Sequence, residues 1–160
     1  MSTGANRVEP GKRPRSSIAP TIVLRDGKPL LALGSPGGAS IITTVAQVLL
    51  DRLDFGMTLP EAIAAPRLSQ RNAATTQTEA GFLGTPEAAA LQARGQAFMV
   101  NTGTGAEIGA ATGIEFLGKG AALAAAEPVR RGGGSAMALP GGHDHGGRQH
   151  AWRGGVRSRR

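Results

Sequence analysis

Thr21-Ile-Val-Leu-Arg-Asp-Gly-Lys-Pro-Leu-Leu-Ala-Leu-Gly-Ser-Pro-Gly-Gly38, followed by Ala39-Ser-Ile-Ile-Thr-Thr-Val-Ala-Gln-Val-Leu-Leu-Asp-Arg-Leu53, decides the fold. Two short aliphatic runs flank Asp26-Gly27, a pair that favours the positive backbone angles of a tight hairpin, so two antiparallel strands are expected. From Ser40 to Phe55, Ile41, Ile42, Val45, Val48, Leu49 and Leu53 recur at helical spacing, with Thr44, Gln47, Asp51 and Asp54 largely opposite. That spacing predicts an amphipathic helix, capped by Ser40 and ended by Gly56. A strand hairpin that feeds a helix through a glycine-rich junction points to an α+β domain.

Downstream, Thr58-Leu-Pro-Glu61 has capping-box spacing for a second, shorter helix ending before Pro66. The polar, Thr-rich stretch 67–82 reads as exposed strands or a loop, and Thr85-Pro-Glu87 opens a helix running to about Arg94. Stretches 98–100, 109–116 and 121–126 read as weak strands between Gly-rich turns, and from Gly132 the ending reads as Gly-rich, then basic and disordered. The expected organisation is therefore a basic extended lead-in over 1–15, a domain over 16–140 and a Gly/Arg-rich tail over 141–160.

The 160 residues carry a net charge of +7, which raises nucleic-acid binding as a class. The charge sits at the ends. Arg7, Lys12, Arg13 and Arg15 precede the domain, and Arg148, Arg153, Arg157, Arg159 and Arg160 follow it, leaving nine basic and nine acidic residues in between. Trp152 is the only aromatic residue within the terminal cluster, so no specific nucleic-acid partner is expected. The absence of cysteine excludes disulfides, a thiolate nucleophile and Cys-rich zinc sites. His143-Asp-His145 on the Gly-rich tail lacks further ligands, so neither a metal nor a cofactor is assigned. Met1-Ser-Thr-Gly-Ala-Asn-Arg7 has no apolar core of a signal segment, and the longest apolar stretch is interrupted by Thr, Gln, Asp and Arg. The expectation as written is cytoplasmic, without membrane insertion.

Two short motifs can carry chemistry. Ser35-Pro-Gly-Gly38 lies where unpaired backbone N–H groups and a helix dipole favour negative charge, and paired glycines let the backbone approach a reacting centre. A plain strand-to-helix turn is the alternative reading. Ser16-Ser17, stiffened between Pro14 and Pro20, offers two neutral hydroxyls to a carboxylate or phosphate, or else caps a turn.

Taken in order, Lys12-Arg-Pro-Arg-Ser-Ser-Ile-Ala-Pro-Thr-Ile-Val23, Asp26-Gly-Lys-Pro29, Gly34-Ser-Pro-Gly-Gly38, Ile41-Ile-Thr-Thr44 and Ala65-Pro-Arg67 resemble the gamma-glutamyltransferase family. The match runs from about Asn6 to Asn72, with a weaker continuation from Gly109 to Ala136 that includes Glu127-Pro-Val-Arg-Arg-Gly-Gly133. Residues 141–160 match nothing in it. The resemblance implies the C-terminal part of the small subunit of a four-layer αββα N-terminal-nucleophile hydrolase. It further implies hydrolysis of glutathione, or transfer of its gamma-glutamyl group, by an N-terminal threonine released by self-cleavage. By resemblance, Ser16 and Ser17 hold the substrate α-carboxylate, and Gly37 and Gly38 form the oxyanion hole.

In the family, the threonine and the Asn and acidic residues gripping the substrate amine lie tens of residues before the position of Asn6, and an arginine comes from the large subunit. The sequence as read contains none of these. The expectation is a chain inactive alone, requiring the nucleophile-bearing and large-subunit polypeptide, or else a truncated remnant that needs a partner to fold. Loss of Met1 would expose Ser2 as a hydroxyl nucleophile with a free amine, but Ser2 stands only fourteen residues before Ser16 without the strands that carry the family's nucleophile.

Overall fold

The structure is a computed structural model that describes residues 7–102, 108–128, 130 and 136–139. The hairpin forms as its turn residues dictate. Strands β1 (Thr21–Arg25) and β2 (Lys28–Gly34) pair antiparallel around Asp26 and Gly27, both at positive φ. Helices α1 (Ile41–Leu53) and α2 (Leu59–Ala64) follow. Next come β3 (Leu68–Ser69), β4 (Thr76–Thr78), α3 (Pro86–Ala93) and β5 (Phe98–Val100). Strands β6 (Thr112–Gly118), β7 (Ala121–Ala126) and β8 (Ala136–Leu139) complete the described chain.

The main sheet is antiparallel in the order β1-β2-β6-β7-β8, and a smaller one runs β3-β4-β5. Helices α1 and α2 cover one face of the main sheet. Leu31 and Leu33 of β2, Val45 and Val48 of α1, Leu59, Ala62 and Ile63 of α2, with Ala111 and Ala125, form the core. Among the described residues no element covers the opposite face, where Ile22, Ala32, Ile114, Ala124 and Met137 stand in one cross-strand row. Within it Ile22 is 68% exposed, Ile114 43% and Met137 62%. Among the described residues no helix is long and apolar enough to cross a membrane.

Several expectations need correction. Ser40 makes no side-chain cap to α1; a single 3-10 turn, Gly38–Ser40, precedes the helix, and the Ser40 hydroxyl donates to the Gly37 carbonyl at 2.9 Å. The buried stripe of α1 contains Thr44 and Asp51, placed opposite by hydropathy, while Ile42 and Leu53 are exposed. Packing against α2 and the 108–110 segment, rather than apolar character, selects that stripe. The segment 67–82 is not wholly exposed, since Arg67, Ser69, Thr76 and Thr78 are buried. Ala136–Leu139, read from sequence as part of a disordered ending, pairs with β7 as an edge strand. The tail 141–160, with His143 and His145, lies outside the described residues.

By contrast the Thr58 box forms in full: the Thr58 hydroxyl accepts from the Glu61 N–H, and the Glu61 carboxylate accepts from the Thr58 N–H. Thr85 caps α3 through the Ala88 N–H at 3.2 Å.

Candidate active site

The junction from β2 to α1 is held open by backbone geometry. Gly37 has φ 144 and Gly38 has φ 56, conformations that disfavour a side chain. Space enforces the same choice at Gly37, where an added Cβ would lie 2.8 Å from Ser40 Oγ and 3.1 Å from Gly109 Cα. The Gly37 carbonyl is occupied by the Ser40 N–H at 3.1 Å, whereas neither glycine N–H has a backbone acceptor among the described residues. Two such donors at the start of a helix suit a developing oxyanion.

Ser17 belongs to the same site. Its hydroxyl donates to the Gly38 carbonyl at 2.6 Å across 21 residues of sequence, joining the serine pair to the glycine pair. The Ser16 hydroxyl accepts from the Ile18 N–H at 3.3 Å, in the manner of a turn. Ser16 itself is exposed. The structure thus brings Ser17 and Gly38 into contact, with Gly37 and Ser16 next to them in sequence.

Behind the glycines lies segment 108–110, which the sequence reading placed at the start of a strand but which precedes β6. Ser35 Oγ accepts from the Ala110 N–H at 3.0 Å, and Thr44 Oγ1 donates to the Ile108 carbonyl at 3.5 Å. Between them, Gly109 has φ 70, and an added Cβ there would come within 2.6 Å of Thr44 Oγ1 and 2.7 Å of Ser35 Oγ. Segment 108–110 is the floor on which the Gly37 turn rests.

That floor is fastened by buried charges. Arg67, 1% exposed, donates through Nη1 to the Ile108 carbonyl at 3.0 Å and through Nη2 to Glu127 at 2.9 Å. Glu79 accepts from the Ile108 N–H at 2.9 Å, the Arg67 N–H at 3.0 Å and Arg130 Nε at 2.6 Å. Arg130 Nη1 also donates to Glu127 at 2.7 Å, and its Nη2 to the Ala65 carbonyl at 3.0 Å. Two arginines and two carboxylates balance, which is how buried ions survive desolvation. Burial pushes the Glu79 carboxyl up, but the hydrogen bonds from Arg130, Ile108 and Arg67 outweigh it and hold it below the usual carboxylate range. Burial, with neighbouring Arg130, lowers Arg67 against the pull of Glu127 and Glu79. Arg67, Glu127 and Arg130 fall within motifs visible in the sequence, yet nothing in their spacing marks them as one cluster.

Known proteins resemble this chain in sequence and in fold. The profile of the family described as Gamma-glutamyltranspeptidase matches residues 1–137. The glutathione hydrolase proenzyme of Bacillus subtilis strain 168 is 46% identical over 78 residues, covering 49% of this chain and 13% of that protein. The Escherichia coli K12 proenzyme is 56% identical over 63 residues, covering 39% of this chain and 11% of that protein. The chain thus spans about an eighth of the length of these relatives. The gamma-glutamyltranspeptidase of Pseudomonas nitroreducens, solved in complex with L-DON, superimposes with a TM-score of 0.67 at 36% identity, covering 86% of this chain and 70% of that one. The helix-covered sheet is accordingly part of the αββα N-terminal-nucleophile hydrolase fold, and the chain belongs to the gamma-glutamyltranspeptidase family.

Proposed function

We propose that this chain supplies the carboxylate-holding and oxyanion-stabilising half of a gamma-glutamyl transfer site acting on glutathione or a related gamma-glutamyl compound. The observation that carries the reading is the Ser17 hydroxyl on the Gly38 carbonyl, which ties the serine pair to a turn whose two glycine N–H groups have no backbone acceptor among the described residues. Ser16 donates its hydroxyl to the substrate α-carboxylate, and the Ser17 hydroxyl, which donates to the Gly38 carbonyl in this structure, turns to the carboxylate when substrate binds. A threonine hydroxyl from polypeptide outside these 160 residues, with its own α-amine as base, attacks the gamma-glutamyl carbonyl. The resulting oxyanion is stabilised by the N–H groups of Gly37 and Gly38. Collapse expels the amine with a proton and leaves a gamma-glutamyl ester, which water hydrolyses or an amino-acid amine aminolyses.

The bare apolar face of the main sheet favours one addition to this reading: the chain functions only when further polypeptide covers that face. The test is release of chromophore from a gamma-glutamyl anilide by the purified chain, alone and mixed with a separately expressed upstream part carrying the threonine. Release only on mixing is the expected result. Release by the chain alone would overturn the division of labour and implicate Ser2. No release in either case would favour the second reading, a non-catalytic remnant.

A further inference from the structure

We propose that Glu79 is a positioning residue for the glycine pair: through Ile108 and the partners Arg67 and Arg130 it holds Gly109 against Gly37, fixing the direction of the Gly37 and Gly38 N–H groups. The catalytic part of this inference rests on the oxyanion reading above; the conformational part does not.

The argument starts from the Gly37 backbone. A glycine can enter φ 144 without a side-chain clash, but it is held at one such value only by contacts with its surroundings. Within its own turn Gly37 is tied through its carbonyl, by the Ser40 N–H and hydroxyl. The other restraint is steric and comes from Gly109, 72 positions further along the chain, packed where a Gly37 side chain would stand. Gly109 can press there only if its neighbours are fixed. Both sides of Ile108 are gripped by charged groups, its N–H by the Glu79 carboxylate and its carbonyl by the Arg67 guanidinium. On the far side the Ala110 N–H is held by the Ser35 hydroxyl, within the glycine turn itself.

Glu79 is the hub of this clamp. One oxygen takes Ile108 N–H and Arg130 Nε; the other takes the Arg67 N–H and Arg130 Nη2. Charge-assisted bonds of this kind are short and directional, and all four bonds to the Glu79 carboxylate are made, although Arg67 Nε is left without a partner among the described residues. The bonds of Glu79 and Arg67 go to Ile108 rather than to the glycine pair, so the effect passes through the backbone of 108–110.

Hydrogen exchange on the full chain, read by mass spectrometry, tests the conformational part without any activity. In Glu79→Gln, exchange at the bonded amides of Ile108 and Ala110 and, within 35–40, at the Ser40 amide rises about tenfold or more, while the β6–β7 hairpin amides keep their parent rates. Gly109→Ala, which leaves the ion network intact but thrusts a methyl at Thr44 and Ser35, gives the same local pattern. Unchanged exchange at 35–40 in both variants would overturn the proposal, and so would an equal rise across the whole chain. In the mixed enzyme, Glu79→Gln lowers kcat per titrated active site by ~10-fold to 100-fold with KM within about twofold, the signature of misdirected oxyanion donors. A loss confined to the number of active sites, with kcat per site intact, would reduce Glu79 to a stabilising residue. If the parent mixture is inactive, the proposed function fails while the exchange result still stands or falls by itself.

Discussion

Asp51 illustrates how a single carboxyl records its surroundings. It sits on the buried stripe of α1, and its Oδ2 has no hydrogen-bond partner among the described residues. Burial raises its pKa, against the pull of Gln47 and Arg67. A carboxyl raised in the folded state favours the protonated form, so this group's contribution to stability falls as pH rises from the usual carboxylate range through the raised value. Glu79 runs the other way: its lowered pKa stabilises the fold above the usual carboxylate range, and that contribution is lost as pH falls through the lowered value. Denaturant titrations across pH separate the two. Asp51→Asn is expected to be more stable than the parent at neutral pH by about 1 kcal/mol, with the gap closing in acid. Equal stability of variant and parent at neutral pH would show that the ionised Asp51 carries no penalty.

At the scale of elements, α2 is six residues long and stable only in context. It is started by the Thr58 cap and by Pro60 in its first turn, and it buries Leu59, Ala62 and Ile63 against the sheet. Its C-terminal end also matters, because the carbonyls of Ile63 and Ala65 accept from Arg130. Removing the cap in Thr58→Ala is expected to cost about 1 kcal/mol, seen as a lower midpoint of denaturation with an unchanged slope. Faster exchange should appear in α2 first and then at 108–110, since helix and floor share the same arginines. Loosening that began instead in the β1–β2 hairpin would contradict the coupling.

For the whole molecule, one helical layer covers a sheet whose other face is a row of alternating large and small apolar side chains from Ile22 to Met137. Large exposed apolar faces drive association, and sheet faces pack with side chains interdigitated about 10 Å apart. The purified chain alone is expected to self-associate at micromolar concentration in sedimentation velocity. Ile114→Lys, in the middle of that row, should shift it toward monomer and weaken complementation by the upstream part. Monomeric behaviour of the parent chain would show that the bare face needs no cover.

The sequence by itself determined the local pieces. Asp26-Gly27 forces the hairpin, Thr58 and Glu61 start α2, and the adjacent glycines can enter positive φ whatever surrounds them, because turns and caps depend on residues within a few positions. The paired serines and paired glycines were legible as candidates for the same reason. What only the tertiary structure decided is which of these pieces meet. Periodicity put Thr44 and Asp51 on the wrong side of α1, since burial follows the neighbour each side chain finds; Thr44 is 1% exposed against the Ile108 carbonyl. Composition read the ending from Gly132 as disordered, yet Ala136–Leu139 pairs with β7 because an open sheet edge offers it hydrogen bonds. Most of all, Arg67, Glu79, Glu127 and Arg130 are dispersed along the chain, and no local rule assembles them. Their union under Gly37 depends on long-range packing, where the need to pair buried charges favours an arrangement that gives each of the four an opposite partner.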